Sequence, residues 1–236
     1  MLSFVVPAHD EAGSIAGVVA AIRVAAGVRP HEIVVVDDAS VDGTGAIAAA
    51  AGGRVLRIER RHIAATRNAG ARIAVGDVFV FVDADTLIGP EVVAGLERVL
   101  AAGAIGGGAG VRFDAPVPRW VPAVLPVLLP LARLLRFTGG CFLFCRRDTF
   151  EAVGGFDETL FAAEEIALCR ALARRGRFVE LRETVLTSGR KLRTYSGGEL
   201  LRAMARVLFA GRAGLRDRSR LDIWYAPRRP DRGGPP

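Results

Sequence analysis

Short apolar runs alternate with longer alanine-rich segments through the first hundred residues of the chain. The runs, which are rich in Val, Ile and Phe as buried parallel strands are, occupy residues 2–7, 33–36, 55–58 and 78–82. The longer segments, whose apolar positions recur at helical spacing, occupy residues 14–28, 42–51, 64–75 and 91–102. This alternation predicts an α/β fold with a mostly parallel central sheet flanked by helices.

The second half of the chain is less regular. A strand is predicted at residues 142–144 and a helix at 164–175, and residues 103–110 are rich in glycine. Residues 198–210 predict a further helix, with leucine and valine on one side and arginine on the other. The last nine residues, 228–236, are rich in Pro, Gly and Arg, and we expect them to be disordered.

Polar residues follow three of the predicted strands at the points where these strands end. Residues 9–11 (His-Asp-Glu) follow the first strand, Asp37 and Asp38 follow the second, and Asp83 and Asp85 follow the fourth. Ligands of parallel sheets with helices on both faces bind at the carboxyl ends of the strands. We therefore expect these polar residues to line a ligand site at one edge of the sheet.

Asp83 and Asp85 carry the strongest chemical signal. Two carboxylates can converge where the chain turns at the end of a strand. Their hard oxygen atoms suit Mg²⁺ or Mn²⁺, ions that keep positions open for phosphate oxygens. The alternative is that both side chains only cap the loop before the next helix.

Asp37, Asp38 and Arg67 each allow two interpretations. Carboxylates at positions 37 and 38 can accept hydrogen bonds from a nucleobase and a ribose, or they can belong to a turn with its capping residues. Arg67, early in a predicted helix, can reach a base or a phosphate, or it can be a solvated surface arginine. The residues alone leave both choices open.

The composition is that of a globular protein, since 51% of the 236 residues are hydrophobic and 24% are charged. The net charge of +7 is unevenly distributed. Residues 174–236 carry 16 Lys and Arg against 6 Asp and Glu, and the first 173 residues carry 16 against 19. This basic C-terminal quarter fits an anionic membrane surface, an anionic ligand or nucleic acid equally well.

Three features indicate a cytoplasmic protein. Cys141, Cys145 and Cys169 cannot all pair within the chain and lack metal-site spacing, which favours reduced thiols. The N-terminus has no basic region followed by a long apolar stretch, so no secretory signal is predicted. The apolar residues 120–132, interrupted by three prolines, are fewer than the roughly 20 that span a bilayer. Together with the basic residues 198–210, they leave peripheral attachment at the inner face of the membrane open.

The motifs, taken in order, resemble those of the family 2 glycosyltransferases, which have the GT-A fold. The resemblance covers roughly residues 2–190. The matching stretches are residues 5–11, 36–44, 67–70, 81–86, 138–141, 154–158 and 164–168. Each is weakly specific, but their common order makes the resemblance strong. It implies one GT-A domain over residues 1–227, with a nucleotide-sugar-binding half (1–102) and an acceptor half with basic C-terminal helices (103–227).

The resemblance also implies roles for individual residues. The nucleotide sugar would be held by Pro7, Ala8, His9, Glu11, Asp37, Asp38, Arg67, Asp83, Ala84 and Asp85. Asp83 and Asp85 would bind the ribose and the metal–diphosphate, with Asp85 preferred as the direct ligand of Mg²⁺ or Mn²⁺. The acceptor side would be formed by Gly139, Gly140 and Cys141.

Members of this family invert the anomeric centre in a single displacement, with one carboxylate as the base. Such a displacement needs a base on the acceptor hydroxyl and stabilisation of the leaving diphosphate on the opposite side of the sugar. We assign Glu165 as the base and Glu164 as the alternative. The usual family pair is Glu-Asp, so this chain carries one extra methylene at position 165.

The predicted function is a metal-dependent, inverting transfer from a UDP-, GDP- or dTDP-sugar to a hydroxyl acceptor, either lipid-linked or a glycan. The basic residues Arg190, Lys191 and Arg193 either fold over the donor diphosphate, meet an anionic acceptor, or form a solvated loop. We expect no nucleic acid as a partner.

Two alternative functions stay open at this stage. A non-catalytic nucleotide-sugar-binding subunit has the Glu-Glu pair as its only support. A sugar-nucleotide nucleotidyltransferase needs a basic, glycine-rich loop after the first strand, whereas residues 7–11 are acidic and contain no glycine. The same loop excludes a dinucleotide-dependent oxidoreductase, because no Gly-x-Gly-x-x-Gly follows the strand.

Overall fold

The computed structural model describes residues 1–114, 140–200, 202–203 and 214–218. Within these residues the strands are β1 Leu2–Ala8, β2 His31–Asp38, β3 Arg54–Ile58, β4 Val78–Val82, β5 Thr86–Leu87, β6 Gly106–Phe113, β7 Phe142–Arg146 and β8 Phe178–Thr187. The helices are α1 Ile15–Ala26, α2 Thr44–Ala50, α3 Ile63–Ile73, α4 Pro90–Ala101, α5 Arg147–Ala152, α6 Glu164–Ala173 and α7 Arg190–Thr194.

The four strands predicted in the first half form the parallel part of one sheet, whose order is β3-β2-β1-β4-β7-β6-β8-β5. Strand β1 pairs in parallel with β2 and β4, and β2 pairs in parallel with β3. Strand β7 runs antiparallel between β4 and β6, and β8 runs parallel to β6. The predicted α/β fold with a mostly parallel sheet is confirmed. The carboxyl ends of β1, β2 and β4 meet at one edge of this sheet.

Alternate residues of the central strands enter two hydrophobic cores, one on each face of the sheet. Phe4 and Val80 belong to the core that is covered by α1, α2 and α4. Val5, Phe79 and Phe81 belong to the core that is covered by α3, α5 and α6. Burial of each such side chain contributes about 1.5–3 kcal/mol. These cores fix α3 and α6 on the same face of the sheet.

Strands β6 and β8 are not predicted by the sequence pattern. Strand β6 overlaps the glycine-rich residues 103–110, and glycine is a poor strand former. A side chain at Gly106 does not fit, since its Cβ would lie 2.6 Å from the carbonyl oxygen of Phe144. The register between β6 and β8 shifts between Gly108 and Gly110, which breaks the alternation that marks a strand.

Several predicted segments lie outside the described residues. Residues 198–200 and 202–203 of the helix predicted at 198–210 are helical, and the rest of this prediction lies outside the described residues. The apolar residues 120–132 and the tail 228–236 also lie outside. Within the described part of the chain, every helix is too short or too polar to cross a bilayer.

Candidate functional site

Loops from four strands meet at the carboxyl edge of the sheet. Asp83, directly after β4, donates its backbone N–H to the carbonyl oxygen of Cys141 (3.0 Å), just before β7. The carbonyl oxygen of Asp85 accepts a hydrogen bond from the backbone N–H of Ser188 (3.1 Å), directly after β8. Glu11 follows β1 and lies near the same loops through Arg190. The acidic pair, Asp83 and Asp85, therefore lies in the same site as Cys141 and the basic segment that follows β8.

Arg67 of α3 links the acidic pair to the start of α6. Its Nη2 donates to Oδ1 of Asp83 (2.9 Å) and to the carbonyl oxygen of Gly140 (3.2 Å), and its Nη1 donates to Oε1 of Glu164 (2.8 Å). Burial alone would lower the pKa of Arg67, but the charges of Asp83 and Glu164 raise it above its usual value. Arg67 is thus a buried, paired cation and not a solvated surface arginine.

Glu164 and Glu165 begin α6 in different surroundings. Burial and the negative charge of Glu165 raise the pKa of Glu164 well above its usual value, although Arg67 acts in the opposite direction. Oε1 of Glu165 lies against Gly140, where a Cβ would be 2.6 Å away. Oε2 of Glu165 is buried and has no hydrogen-bond partner among the described residues. Glu165 therefore keeps one carboxylate oxygen without a hydrogen-bond partner among the described residues, whereas Glu164 is held by Arg67.

Glu11, Asp85 and Arg190 form a second charged group beside Asp83. Nη2 of Arg190 lies 3.0 Å from Oε1 of Glu11 and 3.8 Å from Oδ2 of Asp85. Burial, together with the charges of Asp83 and Glu11, raises the pKa of Asp85 to about 6, although Arg190 and Lys191 act to lower it. Three carboxylates therefore converge on this part of the edge.

Asp38, at the end of β2, uses both carboxylate oxygens to hold the loop between β3 and α3. Oδ1 accepts hydrogen bonds from the backbone N–H groups of Arg60 and Arg61 (2.7 Å each). Oδ2 accepts from the backbone N–H of His62 (2.9 Å) and the hydroxyl of Thr66 (2.7 Å). Burial opposes ionisation, but these hydrogen bonds hold the pKa of Asp38 below its usual value. Its predicted contact with the nucleotide stays a prediction.

Asp37 and His9 belong to the surroundings of β2. Asp37 pairs with Nη1 of Arg57 (3.0 Å) and accepts a hydrogen bond from the backbone N–H of Ser40 (3.1 Å). Nδ1 of His9 lies 2.7 Å from the carbonyl oxygen of Asp38, and its Nε2 lies 3.1 Å from Oδ2 of Asp10. None of these distances joins Asp37 or His9 to the acidic pair.

The other predicted residues are apolar or small. Pro7 and Ala8 end β1, and they are buried, as is Ala84 between the two acidic residues. Burial raises the pKa of the Cys141 thiol to about 12, and the nearby charge of Asp83 adds to this effect. Gly140 carries the carbonyl that Arg67 contacts, and Gly139 lies outside the described residues.

The basic residues after β8 form a helix, α7, and not a solvated loop. Arg193 donates to Oδ1 of Asp114 (2.9 Å), which also accepts the backbone N–H of Gly189 (2.9 Å). Arg190 reaches Glu11, whereas Lys191 is exposed. Asp114 was not among the predicted residues, because it follows β6, a strand that the sequence pattern does not mark.

Asn68 is a second residue without a predicted role of its own. Its Nδ2 donates to the carbonyl oxygen of Phe156 (2.9 Å) and to Oε1 of Glu158 (2.8 Å), and its Oδ1 accepts the backbone N–H of Phe156 (3.0 Å). These bonds tie the segment that leads into α6 to α3. The only sequence signal for Asn68 is its place in the motif at residues 67–70.

A metal ion would need ligands beyond the protein. Among the described residues, no three His, Cys, Asp or Glu side chains are arranged so that they could hold an ion. Asp83 and Asp85 can supply part of a coordination shell, since Mg²⁺ and Mn²⁺ commonly complete theirs with water and substrate phosphate oxygens.

The α/β fold, with a mostly parallel sheet flanked by helices, matches that of solved glycosyltransferases of the GT-A fold. A family model described as glycosyl transferase family 2 matches residues 3–152, which is more than half of the chain. The chain therefore belongs to glycosyltransferase family 2. The matched region contains Glu11, Arg67, Asp83, Asp85 and Gly140, and it ends before α6.

Solved structures of similar fold include three that contain ligands. PcManGT, a mannosyltransferase from Pyrobaculum calidifontis in complex with GDP-Man and Mn²⁺, is 22% identical with a TM-score of 0.66, over 87% of this chain and 60% of its own. S. aureus TarS (residues 1–349) in complex with UDP-GlcNAc is 19% identical with a TM-score of 0.63, over 80% and 58%. Glucosyl-3-phosphoglycerate synthase from Mycobacterium tuberculosis, with Mn²⁺, UDP and phosphoglyceric acid, is 20% identical with a TM-score of 0.63, over 92% and 80%.

These similarities establish the fold. The chain spans about 60% of the length of the TarS and PcManGT chains. Comparison with curated protein sequences gives no match.

Proposed function

We propose that the chain transfers a sugar from a nucleotide-diphosphate sugar to a hydroxyl acceptor, with inversion at the anomeric carbon and Glu165 as the general base. The observation that carries this proposal is the buried Oε2 of Glu165, which has no partner among the described residues. A general base needs an oxygen that can accept the hydroxyl proton. Glu164 is less suited to this role, because its carboxylate is bound to Arg67.

The donor class is supported by the family and by the molecules bound in the similar structures. These are GDP-Man in PcManGT, UDP-GlcNAc in TarS and UDP in the synthase. A UDP-, GDP- or dTDP-sugar would lie across the carboxyl ends of β1, β2 and β4, where ligands of parallel sheets bind. Residues 7–11, at the end of β1, are proposed to contact the nucleotide there.

A Mg²⁺ or Mn²⁺ ion suits the carboxylates of Asp83 and Asp85, whose hard oxygens can supply part of its coordination shell. The charge of Glu11 beside them adds to the negative potential at Asp85. Asp85 is the proposed direct ligand and Asp83 the second. When bound, the ion neutralises charge on the leaving diphosphate. The Mn²⁺ present in the PcManGT and synthase structures supports this assignment.

In the proposed displacement, Glu165 acts on the acceptor hydroxyl and Arg190 acts on the leaving diphosphate. Glu165 takes the proton from the acceptor hydroxyl as the oxygen attacks the anomeric carbon, and the bond from sugar to diphosphate breaks on the opposite side. Arg190, next to Glu11 and Asp85, is proposed to contact the diphosphate. A lipid-linked or glycan acceptor, and contact with the inner face of the membrane, remain predictions from the sequence.

Replacement of Glu165 tests the proposed base. Glu165→Gln keeps the size of the side chain, but the amide cannot take up the hydroxyl proton. We expect transfer to fall by about 10²-fold or more, with donor binding within about threefold of wild type. Glu151→Gln is the matched control, because this exposed glutamate pairs with Arg147 on α5 and should leave both quantities unchanged. Transfer is measured as release of UDP, GDP or dTDP with Mn²⁺, and donor binding by calorimetry.

Two outcomes would redirect the assignment. Undiminished transfer by Glu165→Gln would show that another group is the base. Donor binding without nucleotide release by the wild-type chain, over a panel of UDP-, GDP- and dTDP-sugars and hydroxyl acceptors, would favour a binding subunit.

A further inference from the structure

Arg67 joins three segments that are far apart in the sequence. The residue is 4% exposed. Its guanidinium contacts Asp83 after β4, the carbonyl oxygen of Gly140 before β7, and Glu164 at the start of α6. Asp83 lies on the proposed metal–diphosphate side of the site, and Glu164 is the neighbour of the proposed base. The Arg67 side chain thus contacts a residue on the donor side of the site and the neighbour of the proposed base.

Helix α3 gives Arg67 a fixed position. Gly70, one turn further along α3, packs directly on β1 and β2, so that a Cβ on this glycine would meet Val5 and lie 2.9 Å from Cγ2 of Val36. Such close contact leaves the helix little freedom to move on the sheet. Arg67 therefore projects from a rigid element, as a positioning side chain must.

The same helix also holds the segment that leads into α6. Asn68 binds the backbone of Phe156 with two hydrogen bonds. The ring of Phe156 lies under the guanidinium of Arg67, 5.3 Å from its centre to the Cζ atom. The approach to Glu164 and Glu165 is therefore attached to α3 through Asn68 and through Arg67 itself.

The guanidinium has little capacity left for a nucleotide. Nη1 and Nη2 donate to protein oxygens, and Nε is buried with no hydrogen-bond partner among the described residues. Because Arg67 is 4% exposed, a base or a phosphate has little access to its guanidinium. A ligand that took the place of Glu164 would leave this buried carboxylate without a counter-charge, which would be costly.

We infer that Arg67 is a positioning residue that couples the donor side of the site, through Asp83, to the general base, through Glu164. This inference rests on the proposed function. Because one guanidinium faces two carboxylates, the strength of each pair depends on the charge of the other partner. When Asp83 shares its charge with a bound cation, Arg67 pairs more strongly with Glu164. The first turn of α6, which carries Glu165, is then held more firmly, so that the base is ordered when the donor is bound.

Arg67→Lys tests this role by kinetics. Lysine keeps the positive charge but cannot reach three partners at once. We expect kcat to fall by about tenfold or more, with the donor KM within about threefold of wild type. The matched control is Arg72→Lys on the same helix, whose side chain is 67% exposed and pairs with Glu158; it should leave both constants unchanged. A raised donor KM at unchanged kcat would overturn the inference, because it would indicate direct contact with the nucleotide.

Hydrogen exchange tests the coupling without turnover. Addition of Mn²⁺ with UDP, GDP or dTDP, whichever the chain binds, should slow exchange at residues 83–88 and also at residues 164–168 of the wild-type chain. In Arg67→Lys the first effect should remain and the second should be lost. Glu164→Gln, which weakens the other end of the link, should behave in the same way and covers the case in which Arg67→Lys does not fold.

The outcomes of the hydrogen-exchange experiment distinguish failure of the coupling through Arg67 from failure of the proposed function. Slower exchange at residues 164–168 in both variants, equal to that in wild type, would overturn the coupling alone. Slower exchange in the wild-type chain that is confined to residues 83–88 would also overturn the coupling alone. No effect of Mn²⁺ with UDP, GDP or dTDP anywhere in the wild-type chain would overturn the proposed function, and the inference with it.

Discussion

Glu165 and Gly140 lie in contact, which makes the identity of one residue depend on the other. A Cβ at position 140 would lie 2.6 Å from Oε1 of Glu165, closer than non-bonded atoms approach, and at a tight 3.1 Å from its Cδ. Aspartate, the more usual residue of the family at position 165, is one methylene shorter and would leave part of this space empty. In this chain the longer acid is accommodated by a residue without a side chain.

Gly140→Ala should therefore lower transfer by about tenfold, because the methyl group displaces the carboxylate of Glu165 from its position. The melting temperature should change little, since the displaced atoms are the end of a flexible side chain. In the Gly140→Ala background, Glu165→Asp should restore part of the lost activity by making room for the methyl group. Activity and melting temperature are measured for the complete double-mutant cycle.

The control for this cycle is Gly17→Ala, on the exposed face of α1, where an added Cβ meets no atom within 4 Å. It should leave transfer unchanged. Strictly additive effects of Gly140→Ala and Glu165→Asp on activity would contradict the dependence of residue 165 on the space at position 140.

Sequence reasoning identified the acidic residues of the site but not their partners. Asp83, Asp85 and Glu11 could be predicted, because polar residues after parallel strands share one edge of a sheet. The pair of Arg67 with Glu164 could not, since these residues are 97 positions apart and no local pattern links them. Asp114 was missed for a related reason, since it ends a strand that carries no strand signal.

The element between β3 and α3 is a short loop held by a single buried carboxylate. Asp38 binds three successive backbone N–H groups of this loop, at residues 60–62. Arg61 adopts a φ of 49°, in the left-handed region that non-glycine residues rarely occupy. The loop therefore depends on Asp38 to keep an unfavourable backbone conformation.

Asp38→Asn should lower the free energy of unfolding by about 2 kcal/mol, because the amide loses a charged acceptor and turns an N–H group toward other donors. The pKa of Asp38 is lower in the folded state than its usual value of 3.8. Its stabilisation is thus present above about pH 4 and lost as the pH falls through the folded-state pKa. Urea unfolding at pH 7 and pH 3 should show a difference between wild type and variant that narrows at the lower pH.

Asp148→Asn, at an exposed position at the start of α5, is the control for this comparison and should change stability little. A difference between wild type and Asp38→Asn that is equally large at pH 3 would mean that ionisation of Asp38 is not the source of its stabilisation.

Among the strands and helices, those of the first half of the chain could be predicted from the sequence, and some of those in the second half could not. Strands β1 to β4 are marked by continuous apolar runs, and only their ends moved, as in β2, expected at residues 33–36 and found at His31–Asp38. Strand β6 was hidden by its glycines, two of which, Gly106 and Gly107, are required by close neighbours and not by a turn. The irregular register of β8 against β6 similarly hides its alternation.

For the whole molecule, the two sides of the site come from different parts of the chain. The donor side lies within residues 3–152, which match the family model, and the proposed base lies beyond them in α6. Both α3 and α6 pack on the same hydrophobic core, so their relative position is set by burial of apolar side chains. The single sheet with its two cores thus holds together residues that the sequence separates.

Calorimetry of a UDP-, GDP- and dTDP-sugar panel, with Mn²⁺ and with EDTA, tests most directly whether the acidic edge binds a metal–diphosphate. For wild type, we predict binding of at least one donor that depends on Mn²⁺. Asp85→Ala should weaken this binding by about tenfold or more, and Asp148→Ala should leave it unchanged. Donor binding that is equally tight in EDTA and in Asp85→Ala would contradict the account.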